Sequence, residues 1–213
     1  YNSDISNYLC LSIIFGKSLN NNNMKHDVSL RPLQDIKVLD LTRFLSGPQT
    51  TLFLAALGAE VVKIDDPKIG DPVAEAPPFL GKNGVSMMRS SSSDIGLAFL
   101  KRARGKKSIE LNLKNETDKR LFLKLAATAD VIVENFRFGV TKRLGIDYEQ
   151  VKKINSKIIY CSITGYGNTG PEKTKKAFDA TIQAASGLMS VTGQPEGTPT
   201  KIGSSMADTI AGT

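Results

Sequence analysis

The chain has one histidine, His26, and two cysteines far apart, Cys10 and Cys161. His26 lies near the N-terminus, so histidine metal sites, Ser-His-Asp triads and Cys-His pairs are excluded from the rest of the sequence. The cysteines form no paired framework and no spaced zinc motif, which fits a reducing compartment. General acid, base or nucleophilic work therefore falls to carboxylates, lysine, tyrosine or thiol. No metal is expected. The formal net charge is +7, from 28 Lys+Arg against 21 Asp+Glu. Such a balance suits nucleic acid, an anionic membrane or an anionic small ligand. The positives cluster only at Lys101–Lys107 (KRARGKK) and Lys173–Lys176 (KTKK). Neither cluster has interleaved aromatics, so a phosphate-bearing small ligand explains them as well as DNA does.

The elements that must position such residues follow from hydrophobic periodicity. Ile36–Thr42 is a β-branched apolar run, a buried strand. Gly47-Pro48 breaks the pattern, and Thr51–Leu57 is helical up to Gly58. Glu60–Ile64 is a second strand, completing a βαβ unit with a right-handed crossover. Residues 65–100 are rich in Pro, Gly and Ser and read as a long surface excursion, with a short helix at Ile95–Lys101. Ser108–Leu113, Asp130–Glu134 and Lys157–Ile163 are further strands. Asn115 and Asp147 stand where helix caps belong, and Leu144-Gly145 closes a short helix. Leu121, Phe122, Leu125 and Ala126 form one apolar face, and Tyr148, Val151 and Ile154 another. Ala180–Met189 is a helix and Thr192–Ser205 a loop.

Strands alternating with helices imply an α/β fold, a Rossmann-like doubly wound and mostly parallel sheet. Ligands of such sheets sit beyond the carboxyl ends of the strands. The candidate site segments are Arg43–Pro48, Asp65–Asp71, Lys114–Glu116, Asn135–Gly139 and Gly165–Pro171. No G-x-G-x-x-G follows the first strand and no Walker lysine is present, which argues against NAD- and ATP-dependent chemistry. Residues 1–30 read as a disordered leader outside the fold. Its apolar stretch Tyr8–Phe15 lacks the flanks of a signal peptide, and Met24 is a plausible start. No run approaches the ~20 residues of a spanning helix. The chain starts at Tyr1 and stops at Thr213 in a Gly/Ala/Ser-rich stretch, so both ends read as cut.

Several segments together carry more than any one. They are residues 32–65 (PLQDIKVLDLTRFLSGPQTTLFLAALGAEVVKID), 104–114 (RGKKSIELNLK), 129–139 (ADVIVENFRFG), 143–151 (RLGIDYEQV), 159–171 (IYCSITGYGNTGP) and 178–193 (FDATIQAASGLMSVTG). In this order and spacing they resemble the class III CoA-transferases, the family of formyl-CoA, carnitine-CoA and succinate–hydroxymethylglutarate CoA-transferases. The resemblance spans residues 32–213. It implies an N-terminal portion of the large domain, over residues 31–213, of an interlocked homodimer. It also implies acyl-CoA and small carboxylic acids as substrates, coenzyme A as the carried group, and neither nucleic acid nor membrane as partner. A cytoplasmic location is expected, with the mitochondrion as alternative. The portion alone is expected to be inactive or poorly soluble.

By the same resemblance Asp208, in Ser205–Thr209 after Thr192-Gly193, is the covalent nucleophile. Phe44 and Leu45 are implied to meet the nucleotide end of CoA through their backbone. Leu111 and Lys114 flank adenine and phosphates, Asn135 and Phe136 line the pantetheine channel, and Arg143 and Lys176 pair with phosphates. Some members place a basic residue after the second strand, where this chain has Asp65-Asp66-Pro67 and then Lys68. The α-methylacyl-CoA racemases, an alternative function, pair the same aspartate with a histidine just before the acid of the F-D motif. Phe178 stands there, so a two-base proton exchange lacks one base. A CoA-binding homologue without catalysis is the other alternative.

Overall fold

The computed structural model describes residues 31–213, which form one compact unit. The sequence-expected leader, residues 1–30, lies outside the described residues. Five strands form a fully parallel sheet: β1 (Lys37–Asp40), β2 (Glu60–Asp65), β6 (Lys106–Glu110), β7 (Val131–Glu134) and β8 (Ile159–Ser162). Their spatial order is β6-β2-β1-β7-β8. The order reverses between β1 and β7, so the crevice at their carboxyl ends is the ligand position of a doubly wound sheet.

Register explains the two faces. Val38 pairs with Val61 and Val131, and Leu39 with Val62 and Ile132. Val38, Val61 and Val133 pack on one face with Leu54 and Ala55 of helix α1 (Ser46–Ala56). Leu39 and Ile132 point to the other face, into a core with Phe122 and Ala126 of α3 (Glu116–Ala126) and Val151 of α5 (Tyr148–Ile154). Side chains alternating with period two thus demand helices on both faces.

Three expectations change on contact with tertiary structure. Helix α1 begins at Ser46, so Gly47-Pro48 opens it instead of breaking it. Proline is tolerated in a first turn, where its missing N–H has no partner to lose. Glycine is demanded at 47 because a Cβ would fall 2.3 Å from that of Thr42. The excursion after β2 holds a small antiparallel sheet, β3 (Phe79–Gly81), β4 (Gly84–Ser86) and β5 (Ile95–Gly96), ahead of α2 (Leu97–Ala103). Its strands are two or three residues long, too short for a periodic signal. The third expected strand begins two residues earlier, taking in Lys106 and Lys107, and ends three residues earlier at Glu110.

Capping is mixed. Asn115 accepts from the Thr117 N–H at 2.8 Å as its position implied. Gly145 ends α4 (Val140–Leu144) in the left-handed conformation. Asp147 occupies the N-cap of α5 but its side chain makes no capping bond. Leu121, Tyr148 and Ile154, expected on inner faces, are exposed. The expected helix over 180–189 is α6 (Asp179–Ala185) followed by a 3-10 turn, Leu188–Val191, and the last helix is α7 (Met206–Ala211).

Candidate active site

The loop after β1 is built from below by charge. Asp40 is fully buried and accepts from the Thr42 N–H at 2.9 Å and the Thr51 hydroxyl at 2.6 Å. The Lys106 ammonium completes the set, 2.9 Å from Asp40 Oδ2, 2.6 Å from Thr51 Oγ1 and 3.0 Å from the Pro48 carbonyl. Beside it Lys63 donates to the Thr42 carbonyl at 2.8 Å and pairs with Asp65 at 3.2 Å and Asp71 at 3.6 Å. Lys106, read from sequence as part of a ligand-facing basic cluster, is therefore a buried structural cation. Its ammonium is pushed down by burial, with Asp40 pulling it back up. Asp65, in place of a basic residue after the second strand, is a partner of Lys63 and is pushed up by burial.

On this base sits Phe44, with a φ of +69°. A bulky residue in the left-handed region is strained and holds only where the surroundings fix it. The fixing is visible. The Phe44 N–H donates to Asp71 Oδ1 at 3.2 Å, and its carbonyl accepts from Arg102 of α2 at 3.3 Å. The same loop is tied across the switch point by Asn135. Its side-chain oxygen accepts from the Arg43 N–H at 2.9 Å and its amide donates to the Arg43 carbonyl at 2.7 Å. Arg43 in turn lies over the Phe136 ring at 5.9 Å. Phe44, Leu45, Asn135 and Phe136, four of the sequence-expected site residues, thus meet at one place.

Arg102, which donates to the Phe44 carbonyl, also faces Asp208. Helix α7 packs on α1, where Gln49 donates to the Thr209 carbonyl at 3.3 Å and Thr50 to the Gly212 carbonyl at 3.1 Å. Asp208 is half-buried in the first turn of α7. Burial raises its carboxyl above the ordinary range, Asp179 raises it further, and Arg102 pulls it down. A partly desolvated carboxylate is a more basic nucleophile than one in water.

The remaining expected residues are dispersed. Leu111 is buried in the main core and its N–H donates to the Asp65 carbonyl. Lys114, Arg143 and Lys176 are exposed. Sequence reasoning missed Asp40 and Lys63, which only their place as charges inside apolar strands could have marked, whereas Asp71 ends the expected segment Asp65–Asp71 and Arg102 lies in the basic run Lys101–Lys107. No His/Cys/Asp/Glu cluster able to hold a metal occurs among the described residues. No helix among them is long and apolar enough to cross a membrane.

The model of CoA-transferase family III matches residues 33–213. The chain belongs to this family. It is 42% identical over 181 residues to the acetyl-CoA:oxalate CoA-transferase of Acetobacter aceti, covering 85% of this chain and 43% of that one. It is 42% identical over 185 residues to the succinyl-CoA:glutarate CoA-transferase of Mus musculus, covering 86% of this chain and 40% of that one. Among solved structures, a CAIB/BAIF family protein from Brucella suis superposes with a TM-score of 0.76 at 39% identity, over 85% of this chain and 46% of that one. The chain thus spans less than half the length of these family III relatives.

Proposed function

We propose that the full-length protein is an acyl-CoA:carboxylate CoA-transferase with Asp208 as covalent nucleophile. One observation supports the reading: the half-buried Asp208 shares Arg102 with the strained Phe44 loop, whose carbonyl accepts from that side chain. The Asp208 carboxylate attacks the thioester carbonyl, expelling CoA as thiolate and leaving a mixed anhydride. The thiolate attacks the aspartyl carbonyl of that anhydride, releasing the donor acid and forming an aspartyl-CoA thioester. An acceptor carboxylate attacks the thioester, and the returning thiolate takes the acceptor acyl group and frees Asp208. Each step exchanges one acyl bond for another, so no net proton, metal or histidine is required.

Phe44 and Leu45 receive the nucleotide end through their backbone, and Asn135 and Phe136 line the pantetheine path. Leu111, its side chain in the core, offers only its backbone beside Lys114. Arg143 and Lys176, both exposed, face the phosphates. The protein works as a homodimer. Oxalate, glutarate and mesaconate in the names of relatives support a small dicarboxylic acid as one substrate. Racemisation is disfavoured by Phe178, which is exposed beside Asp179 where that chemistry needs a base.

The test is chemical capture. Full-length protein incubated with succinyl-CoA and then hydroxylamine is expected to carry a hydroxamate at Asp208 by peptide mass spectrometry. Turnover at wild-type rate by D208N, or a wild type that turns over with no adduct at Asp208, would refute the reading.

A further inference from the structure

Two buried polar side chains on α6 are not explained by the transferase chemistry. Gln183 has 0% exposure and Asp179 8%. They lie one turn apart, and Gln183 Nε2 donates to Asp179 Oδ2 at 2.7 Å. Both reach to the segment that carries the nucleophile. Asp179 Oδ1 accepts from the Ala207 N–H at 2.9 Å and the Asp208 N–H at 3.3 Å. Gln183 accepts from the Ile202 N–H at 2.9 Å and donates to the Ser204 carbonyl at 3.2 Å.

Helix α7 has six residues, and Ser205 at its N-cap supplies no side-chain bond. So short a helix does not hold itself. The Ala207 and Asp208 N–H groups of its first turn are satisfied from α6 instead.

The side-chain chemistry at 179 is specified by its neighbours. Gln183 cannot flip, because its oxygen and its amide are each already committed to backbone at 202 and 204. Its amide therefore faces residue 179 as a donor, while Ala207 and Asp208 face it as donors from the other side. Residue 179 must present two acceptors, which a carboxylate does and an amide does not. The result is a buried anion next to the nucleophile's own anion. For folding alone such a pair of like charges is unfavourable. It becomes useful when Asp208 is acylated, since the anhydride and the thioester are neutral and the repulsion disappears.

We propose that Asp179, locked by Gln183, is the positioning residue of the nucleophile: it fixes the backbone at Ala207-Asp208 and favours the acylated over the free state of Asp208. This rests on Asp208 being the nucleophile. The charged groups facing Asp208 are Asp179 from α6 and Arg102 from α2, with Lys201 3.8 Å from Asp179. Helix α1 has no charged residue, and its neutral Gln49 and Thr50 are what bond to α7 and its C-cap.

The experiment compares full-length wild type, D179N and D179N/Q183E with succinyl-CoA as donor and glutarate as acceptor. The readouts are hydroxylamine capture at Asp208, kcat and KM, the pH dependence of kcat, and thermal midpoint. D179N is expected to lower kcat by about 10²-fold, the scale of a small misplacement, with KM within threefold and the acid limb of kcat moved to lower pH. The double variant restores the 179–183 bond with reversed polarity and moves the charge away from Ala207-Asp208. It is expected to recover only part of the thermal midpoint, because a carboxylate at 183 no longer donates to the Ser204 carbonyl, and part of kcat while keeping the shifted acid limb, and it decides the matter where D179N fails to fold. A wild type that turns over without an adduct at Asp208 overturns the nucleophile reading, and this inference with it. A wild type that labels at Asp208, with the double variant at wild-type kcat and an unmoved acid limb, overturns this inference alone.

Discussion

Lys106→Met tests whether the loop of the site rests on a buried ion pair. The side chains of Lys106 and Asp40 are 1% and 0% exposed, and their charges lie 2.9 Å apart. Removing one partner of a buried pair costs about 3–5 kcal/mol, because the other charge is left uncompensated. Asp40 keeps three donors in the variant, the Thr42 N–H, the Thr42 hydroxyl and the Thr51 hydroxyl. The lower end, about 3 kcal/mol, is therefore expected. That is a large share of the roughly 5–15 kcal/mol that holds a domain together. With a urea slope of about 2 kcal/mol/M, the unfolding midpoint falls by about 1.5 M. The sequence has no tryptophan, so far-UV ellipticity is the suitable signal. The cycle is completed with D40N and D40N/K106M. The double variant is expected to lose less than the sum of the singles by about 2 kcal/mol, since neither charge is then stranded. A K106M midpoint within 0.2 M of wild type, or a coupling near zero, would show that the pair does not support the loop.

Three further outcomes are expected. Asn135→Ala loses both bonds to Arg43 and should destabilise by about 2 kcal/mol while raising KM for acyl-CoA, read by urea unfolding and steady-state kinetics. Phe44→Gly relieves a left-handed φ and should stay within about 1 kcal/mol of wild type, whereas Phe44→Val, β-branched in the same conformation, should be the less stable of the two; equal midpoints would contradict the strain. Asp208→Asn should raise the thermal midpoint at neutral pH. The folded-state carboxyl is raised, so the wild type binds its proton more tightly when folded and loses stability as pH rises from the unfolded value through the folded one. The difference between variant and wild type should therefore vanish below about pH 4, and a constant difference across pH 3–8 would contradict it.

The sheet was legible because its strands are short β-branched runs bounded by glycine, proline and cap residues, and local periodicity registers these directly. The fold class, all five parallel strands and the helices between them follow from such runs. The charges that support the loop after β1 did not. Asp40, Lys63 and Lys106 are ordinary charges in the sequence, and their meaning depends on the register of β1, β2 and β6. Register depends on pairing between segments 23 and 45 residues apart (37 with 60, 61 with 106). Arg102 lay in a basic run that suggested a ligand, yet α2 turns it towards the Phe44 carbonyl. The sparing use of histidine left the chemistry to carboxylates, lysine, tyrosine or thiol from the start, because an absent side chain is absent in any fold. Which carboxylate is half-buried, which is locked as a cap and which neutralises a buried lysine was settled only by packing. Burial and neighbouring charge set the reactivity of a carboxyl group, and neither quantity exists until the chain has folded.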